Sequence, residues 1–337
     1  MRAAGECSGV SPSRALRLSY VSLFAVALLL GGCTSGGSQP EAKPGAASSP
    51  TSTPDGQATV YVGSTPAGAE ILNTFGLDRA GPPELIEWNL SLRGSERSGS
   101  FDLQLVYGRA AQGSPGLASG PAQDRRQGTW TSTTLPGITG RVLRLSDAVD
   151  LVQMSPDVLH VLNTERDLMV GDGGWSYTLN REASAEPIPD AGVVSQQPDM
   201  SYRILPLSTG ADTFGVFEGR TPCQGVAGLI AIEPPENCVK VKWRITLNQD
   251  AQTARPTTYR IEGSLHRQKA REGTWSRVRG TSDDPKASVI RLGAAAGESE
   301  LDLLVGDDGV LFVLDDSGMP LVGHALYSYS LNRRASG

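Results

Sequence analysis

Cysteine and histidine are the side chains of this sequence best suited to chemistry, and it has only four of the first and three of the second. Cys223 and Cys238 admit two readings: a disulfide in an oxidising compartment, or a thiol pair holding a soft metal such as copper(I). The second requires both sulfurs to be reduced and adjacent. His160, His266 and His324 share no metal-ligand spacing, and none stands where a Ser-His-Asp triad would need a base. They read as packing or surface residues. The adjacent carboxylates Asp307-Asp308 and Asp315-Asp316 sit beside glycine in turn-like stretches, whereas a general acid–base pair must converge in a cleft. Calcium needs a denser oxygen-ligand loop than Asp315-Asp316-Ser317-Gly318, and no glycine-rich phosphate loop opens a helix. These observations point away from an enzyme. No catalytic residue and no resident cofactor is assigned, with copper at Cys223 and Cys238 as the alternative.

A second set of residues bears on binding rather than catalysis. Trp88, Trp130, Trp243, Trp275, Phe101 and Tyr259 fall at inward positions of alternating strands. They either fill the interior of the fold or line a cavity for one small apolar ligand.

The N-terminus says where such a protein would work. Arg2, Arg14 and Arg17 precede an apolar run from Tyr20 to Leu30, which is too short for a membrane span and ends in Leu30-Gly31-Gly32-Cys33. That ending resembles the bacterial lipobox, which implies acylation of Cys33 as the first mature residue, with palmitate among the attached chains. Thr34 is not the aspartate that holds such proteins in the inner membrane, so an outer-membrane lipoprotein facing the periplasm is expected. Residues 34–57 are mostly Gly, Ser, Pro, Ala and Thr and cannot bury enough surface to offset chain entropy. As a flexible tether of about 23 residues this segment reaches roughly 25–30 Å. Losing Arg2, Arg14 and Arg17 together with Glu6 moves the net charge from −6 to −8. An acidic mature chain argues against nucleic acid and against broad adhesion to anionic surfaces. The expected partners are the membrane, through the lipid, and an envelope protein. The basic stretch of His266, Arg267, Lys269, Arg271, Arg277 and Arg279 reads as a solvated loop.

The elements that must position these residues are written twice. The run from Leu159 to Arg181 aligns without a gap on the run from Leu311 to Arg333, sharing Val161/Val313, Ser176/Ser328, Tyr177/Tyr329, Asn180/Asn332 and others. A self-match of this length means two copies of one fold. Val239, Val241, Trp243, Ile245 and Leu247 alternate with polar residues, as do Ile86, Trp88, Leu90 and Leu92, the signature of a half-buried strand. Gly128-Thr129-Trp130 answers Gly273-Thr274-Trp275. Asp172-Gly173-Gly174 and Asp307-Asp308-Gly309 supply turn chemistry, and no stretch has a helical period. The expected fold is all-β: two tandem small antiparallel barrels, over residues 58–183 and 201–337, joined by a linker at 184–200 and preceded by the signal (1–33) and tether (34–57). Closing each meander removes its exposed edges.

From Phe217 to Arg333 the second copy resembles the N-terminal domain of the NlpE family of envelope lipoproteins. The matching residues are Phe217 to Cys223, Ile245-Thr246-Leu247, Glu272 to Trp275, Leu303 to Asp307, Leu311, Leu314-Asp315 and Tyr327 to Leu331. The resemblance implies a lipocalin-like barrel and a role in copper tolerance, surface sensing or envelope stress signalling. The family's suggested metal motif is Cys-x-x-Cys directly after a proline. Here Cys223 follows Pro222, but Val226 occupies the second position, and Thr65-Pro66-Ala67 in the first copy has no thiol. The function expected is therefore non-catalytic: binding, sensing or scaffolding at the envelope. A copper- or redox-responsive thiol site and a carrier of a small apolar ligand are the alternatives.

Overall fold

Each copy closes as its alternation requires. A computed structural model of the chain describes residues 57–77, 82–112, 115–136, 138, 140–188, 210–229, 238–264, 270–293 and 299–335. Cys33, His266, most of the tether and the linker beyond residue 188 lie outside these. The first copy contains β1 (Thr59–Pro66), β2 (Leu85–Gly94), β3 (Ser98–Gly108), β4 (Ala122–Thr133), β5 (Arg141–Leu145), β6 (Asp150–Ser155), β7 (Val158–Val161) and β8 (Thr178–Arg181). The second contains β9 (Thr213–Thr221), β10 (Val241–Gln249), β11 (Pro256–Gly263), β12 (Arg271–Arg279), β13 (Ser288–Leu292), β14 (Leu301–Val305), β15 (Val310–Val313) and β16 (Ser330–Arg333). Each set forms one closed antiparallel barrel in sequential order, with β8 returning to β1 and β16 to β9. The all-β, two-barrel fold is as expected from the alternation.

Closure depends on two equivalent glycines. A Cβ on Gly63 would stand 2.6 Å from the Thr178 carbonyl oxygen, and one on Gly219 2.7 Å from that of Ser330. Only a residue without a side chain lets the first strand approach the last at these points.

Two short helices correct the expectation of none: α1 (Ala69–Phe75) and α2 (Gln224–Leu229). Each follows the first strand of its barrel, after Pro66 and Pro222 respectively, and buries apolar residues in that barrel's core (Ile71 and Phe75 in one, Val226 in the other). A helix of about two turns is too short to show a 3.6-residue period. Its stability comes from tertiary packing, and α1 ends in a left-handed Gly76 (φ 59°) whose N–H bonds back to Asn73 and Leu72.

The basic stretch also needs correction at Arg271. This residue lies on β12 with its side chain inward, 3% exposed, in alternation with Trp275. Arg277 and Arg279 are exposed, as a solvated reading requires. The start of the linker is likewise not free. The Glu186 N–H donates to the Gly323 carbonyl, and its carboxylate accepts from the Tyr329 hydroxyl, so the chain leaving the first barrel is strapped to the second.

Candidate functional site

The six aromatic residues proposed for the interiors all lie in the two barrel cores, and their polar atoms are matched between copies. The Trp88 indole N–H donates to Thr65 Oγ1 at 2.8 Å, and Trp243 does the same to Thr221 Oγ1 at 2.8 Å. Trp130 donates to the Arg93 carbonyl and Trp275 to that of Asn248. Phe101 and Tyr259 oppose Gly128 and Gly273. Their rings occupy the space a side chain there would need, and the Tyr259 hydroxyl donates to the Gly293 carbonyl. These rings pack as core, and a Trp buried with its N–H satisfied stabilises rather than opens an interior.

An inward arginine two residues before each of these glycines was not recognised from sequence. Arg126 donates to the Phe75 carbonyl at the C-terminus of α1, lies 5.2 Å above the Phe75 ring centroid, and pairs with Asp124 at 2.9 Å. A cation at a helix C-terminus complements its dipole, so Arg126 holds α1 in place. Arg271, its counterpart, donates to Tyr259 Oη at 2.9 Å and to the Ser299 carbonyl. The repeat of Arg126-Gln127-Gly128-Thr129-Trp130 as Arg271-Glu272-Gly273-Thr274-Trp275 carries this signal in the sequence.

Cys223 and Cys238 form a disulfide, with Cα atoms 5.9 Å apart, that ties the start of α2 to the segment entering β10. Both sulfurs are occupied by each other, so no thiolate is present for copper, and the pair in this form does not fit a soft-metal site. The ring spans a sequence separation of 15. Replacing both cysteines by serine is expected to lower the stability of the second barrel by about 3 kcal/mol in the chain-entropy model. Urea unfolding with and without reductant measures this, and an unchanged midpoint would show that the bridge adds no constraint.

The outer faces of the two barrels meet in a seam of apolar packing and paired polar contacts. The outer faces of β5–β7 pack on those of β13–β15 through Val142, Val152, Val158 and Leu162 on one side and Val289, Leu304, Val310 and Leu314 on the other. Residues that align between copies meet one another. His160 packs edge-on against Phe312 at 5.5 Å, and Thr178 Oγ1 lies 3.1 Å from Ser330 Oγ. Gly171 N–H donates to Asn332 Oδ1 at 2.7 Å, and Gly323 N–H donates to Asn180 Oδ1 at 2.8 Å. These reciprocal contacts define an approximate two-fold axis: the tandem chain is built as a covalently joined isologous dimer.

The seam contains two buried histidines. His160 Nε2 faces the Met169 carbonyl at 2.9 Å, which can only accept, so Nε2 carries the proton and Nδ1 accepts from the Thr178 hydroxyl at 2.9 Å. His324 Nδ1 accepts from the N–H groups of Leu326 and Tyr327, which leaves its proton on Nε2. Burial disfavours the imidazolium and pushes both down to about 4, partly offset by the Met169 carbonyl for His160 and the Val239 carbonyl for His324. The aspartates proposed as turn residues act as such. Asp172 and Asp307 each accept two N–H groups of their own turn, and the second Asp307 oxygen accepts from Leu168 N–H across the seam. No protein-family model, curated protein or solved structure matches this chain.

Proposed function

We propose that the protein is a non-catalytic envelope lipoprotein, anchored through Cys33 at the periplasmic face of the outer membrane, whose joined barrels bind, sense or scaffold as one body. The observation that carries this reading is the Leu30-Gly31-Gly32-Cys33 ending of the apolar leader, followed directly by the low-complexity tether. The Cys223–Cys238 disulfide supports it, because such bonds persist outside the reducing cytosol. The resemblance of the second barrel to the NlpE family supports a sensing role. Aromatic rings packed through both interiors favour recognition at the outer surface over carriage of an apolar ligand inside. Sulfurs bonded to each other give the copper reading less support.

The anchor is tested by growing cells with an alkyne-bearing fatty acid and fractionating their membranes. The wild-type chain is expected to be labelled and to sediment with the outer membrane, and Cys33→Ala to be unlabelled. A wild-type protein recovered soluble and unlabelled would remove the proposal. Crosslinking of the anchored protein in its own membrane then identifies the envelope partner.

A further inference from the structure

The seam is nearly symmetric, so its asymmetric part stands out. At the rim of the first barrel, Ser64 on β1 donates to the Ala325 carbonyl of the loop before β16. The matching place on the second barrel holds Arg220 on β9, which lies under the matching loop with its guanidinium carbon 5.2 Å from the Trp175 ring centroid. Leu85, fully buried in the first copy, corresponds to Lys240 in the second, by the alignment of Trp88 with Trp243. Trp175 corresponds to Tyr327. Both departures from symmetry are cations.

They converge. Lys240 Nζ donates to Tyr327 Oη at 3.2 Å and lies 5.5 Å from its ring centroid, and the charge of Arg220 opposes the rise that burial gives the same hydroxyl. Among the described residues neither cation has a carboxylate within ion-pair distance. Glu218, the nearest acid on β9, is taken by Arg244 at 2.6 Å and Arg334 at 3.3 Å. Asp172, in the overlying loop, accepts from Gly174 and Trp175 N–H. Burial and the charge of Arg220 both push the Lys240 ammonium down from its ordinary range, which is what two like charges with no counter-ion do to one another. His324 packs edge-on against Tyr327 at 5.7 Å, and its depressed pKa keeps it neutral at pH 7, so it adds no charge.

We propose that Arg220, Lys240 and Tyr327, flanked by Trp175, form an oxyanion site at the seam that takes a phosphate group. A guanidinium fork, an ammonium point charge and a phenol O–H converging on one place suit a tetrahedral anion with several acceptor oxygens. A partly buried setting strengthens such contacts relative to water. The site is local, and a chain of net charge −6 has no broad attraction for anionic surfaces that would mask it. The phosphate has two possible sources, a soluble ester or a phospholipid headgroup. The proposal does not depend on the lipid anchor.

The test uses the full chain carrying Cys33→Ala, so that acylation does not itself bring it to membranes, and the same chain with Arg220→Ser and Lys240→Leu, the residues that the first copy has. Inorganic phosphate is titrated by ³¹P line broadening and thermal shift at constant ionic strength. Flotation follows with phosphatidylcholine vesicles with and without phosphatidylglycerol. The expected result is millimolar phosphate binding that weakens at least tenfold in the double variant. Flotation only with phosphatidylglycerol, lost in the variant, assigns a lipid source, and phosphate binding without flotation assigns a soluble one. Lys240→Gln alone, which keeps a hydrogen-bond donor but no charge, is expected to weaken phosphate severalfold, and it serves if the double variant fails to fold. Equal binding by folded variants, or no binding of either probe by the parent chain, overturns the proposal.

Discussion

Replacing Phe312 by alanine is expected to lower stability by roughly 3–5 kcal/mol and to separate the unfolding of the two barrels. Phe312 is 2% exposed and lies at the centre of the apolar seam, edge-on to His160. Its ring also fills the space over Gly306, where a Cβ would come within 2.7 Å of it. Truncation removes the buried ring and leaves a cavity bordered by two rigid sheets that cannot collapse into it. It also strips the edge contact from a neutral imidazole, with no polar group offered in exchange. Because the ring belongs to the seam and not to a barrel interior, the loss falls on coupling more than on either barrel's own core. Denaturant unfolding followed by tryptophan fluorescence reads both effects, since each barrel carries its own buried indoles. A loss below about 1 kcal/mol, with one unchanged cooperative transition, would show that the barrels are not held together by this packing.

Acidification is expected to weaken the same seam between about pH 6.5 and pH 4. The folded pKa values of His160 and His324 are about 4, below the ordinary 6.5 that each regains on unfolding. Above pH 6.5 both states hold neutral imidazoles, and the seam's stability is fully present. As pH falls through 6.5 the unfolded chain takes up protons that the folded chain refuses, so folding loses ground until the folded pKa is reached. Each histidine contributes up to about 3 kcal/mol over this window. The groups facing them from neighbouring elements are mainly neutral: Thr178, Phe312 and the Met169 carbonyl at His160, Tyr327 and the Val239 carbonyl at His324. Glu87, Glu186 and Asp307 are raised by burial and gain their protons more readily when folded, which offsets part of the loss at the acidic end. His160→Gln keeps a donor for Met169 without a titrating group and is expected to reduce the pH slope by one proton. Equal slopes for wild type and variant from pH 7 to pH 4.5 would rule out His160 as a source of acid sensitivity.

The sequence by itself determined the two copies, the strand character of the alternating segments, the turns at Asp172 and Asp307, and the inward placement of Trp88, Trp130, Trp243 and Trp275. Those features are local: period-two alternation records which face of a strand is apolar, and an offset repeat records itself. It also made Cys223 and Cys238 a plausible pair, leaving bridge against metal open. The two helices escaped because stretches as short as Ala69–Phe75 and Gln224–Leu229 have too few turns for a period. Arg126 and Arg271 escaped because a charged residue at an inward position breaks the apolar pattern that marks such positions.

The docking belongs to the tertiary structure alone. Val158–Val161 and Val310–Val313 are buried on both faces, yet alternation cannot say what covers the second face. That Asn180 and Asn332 reach into each other's loops, or that Lys240 meets Tyr327, depends on contacts between residues up to about 160 positions apart. Such meetings are fixed by the geometry of two closed surfaces pressed together, and no local pattern in the chain encodes them.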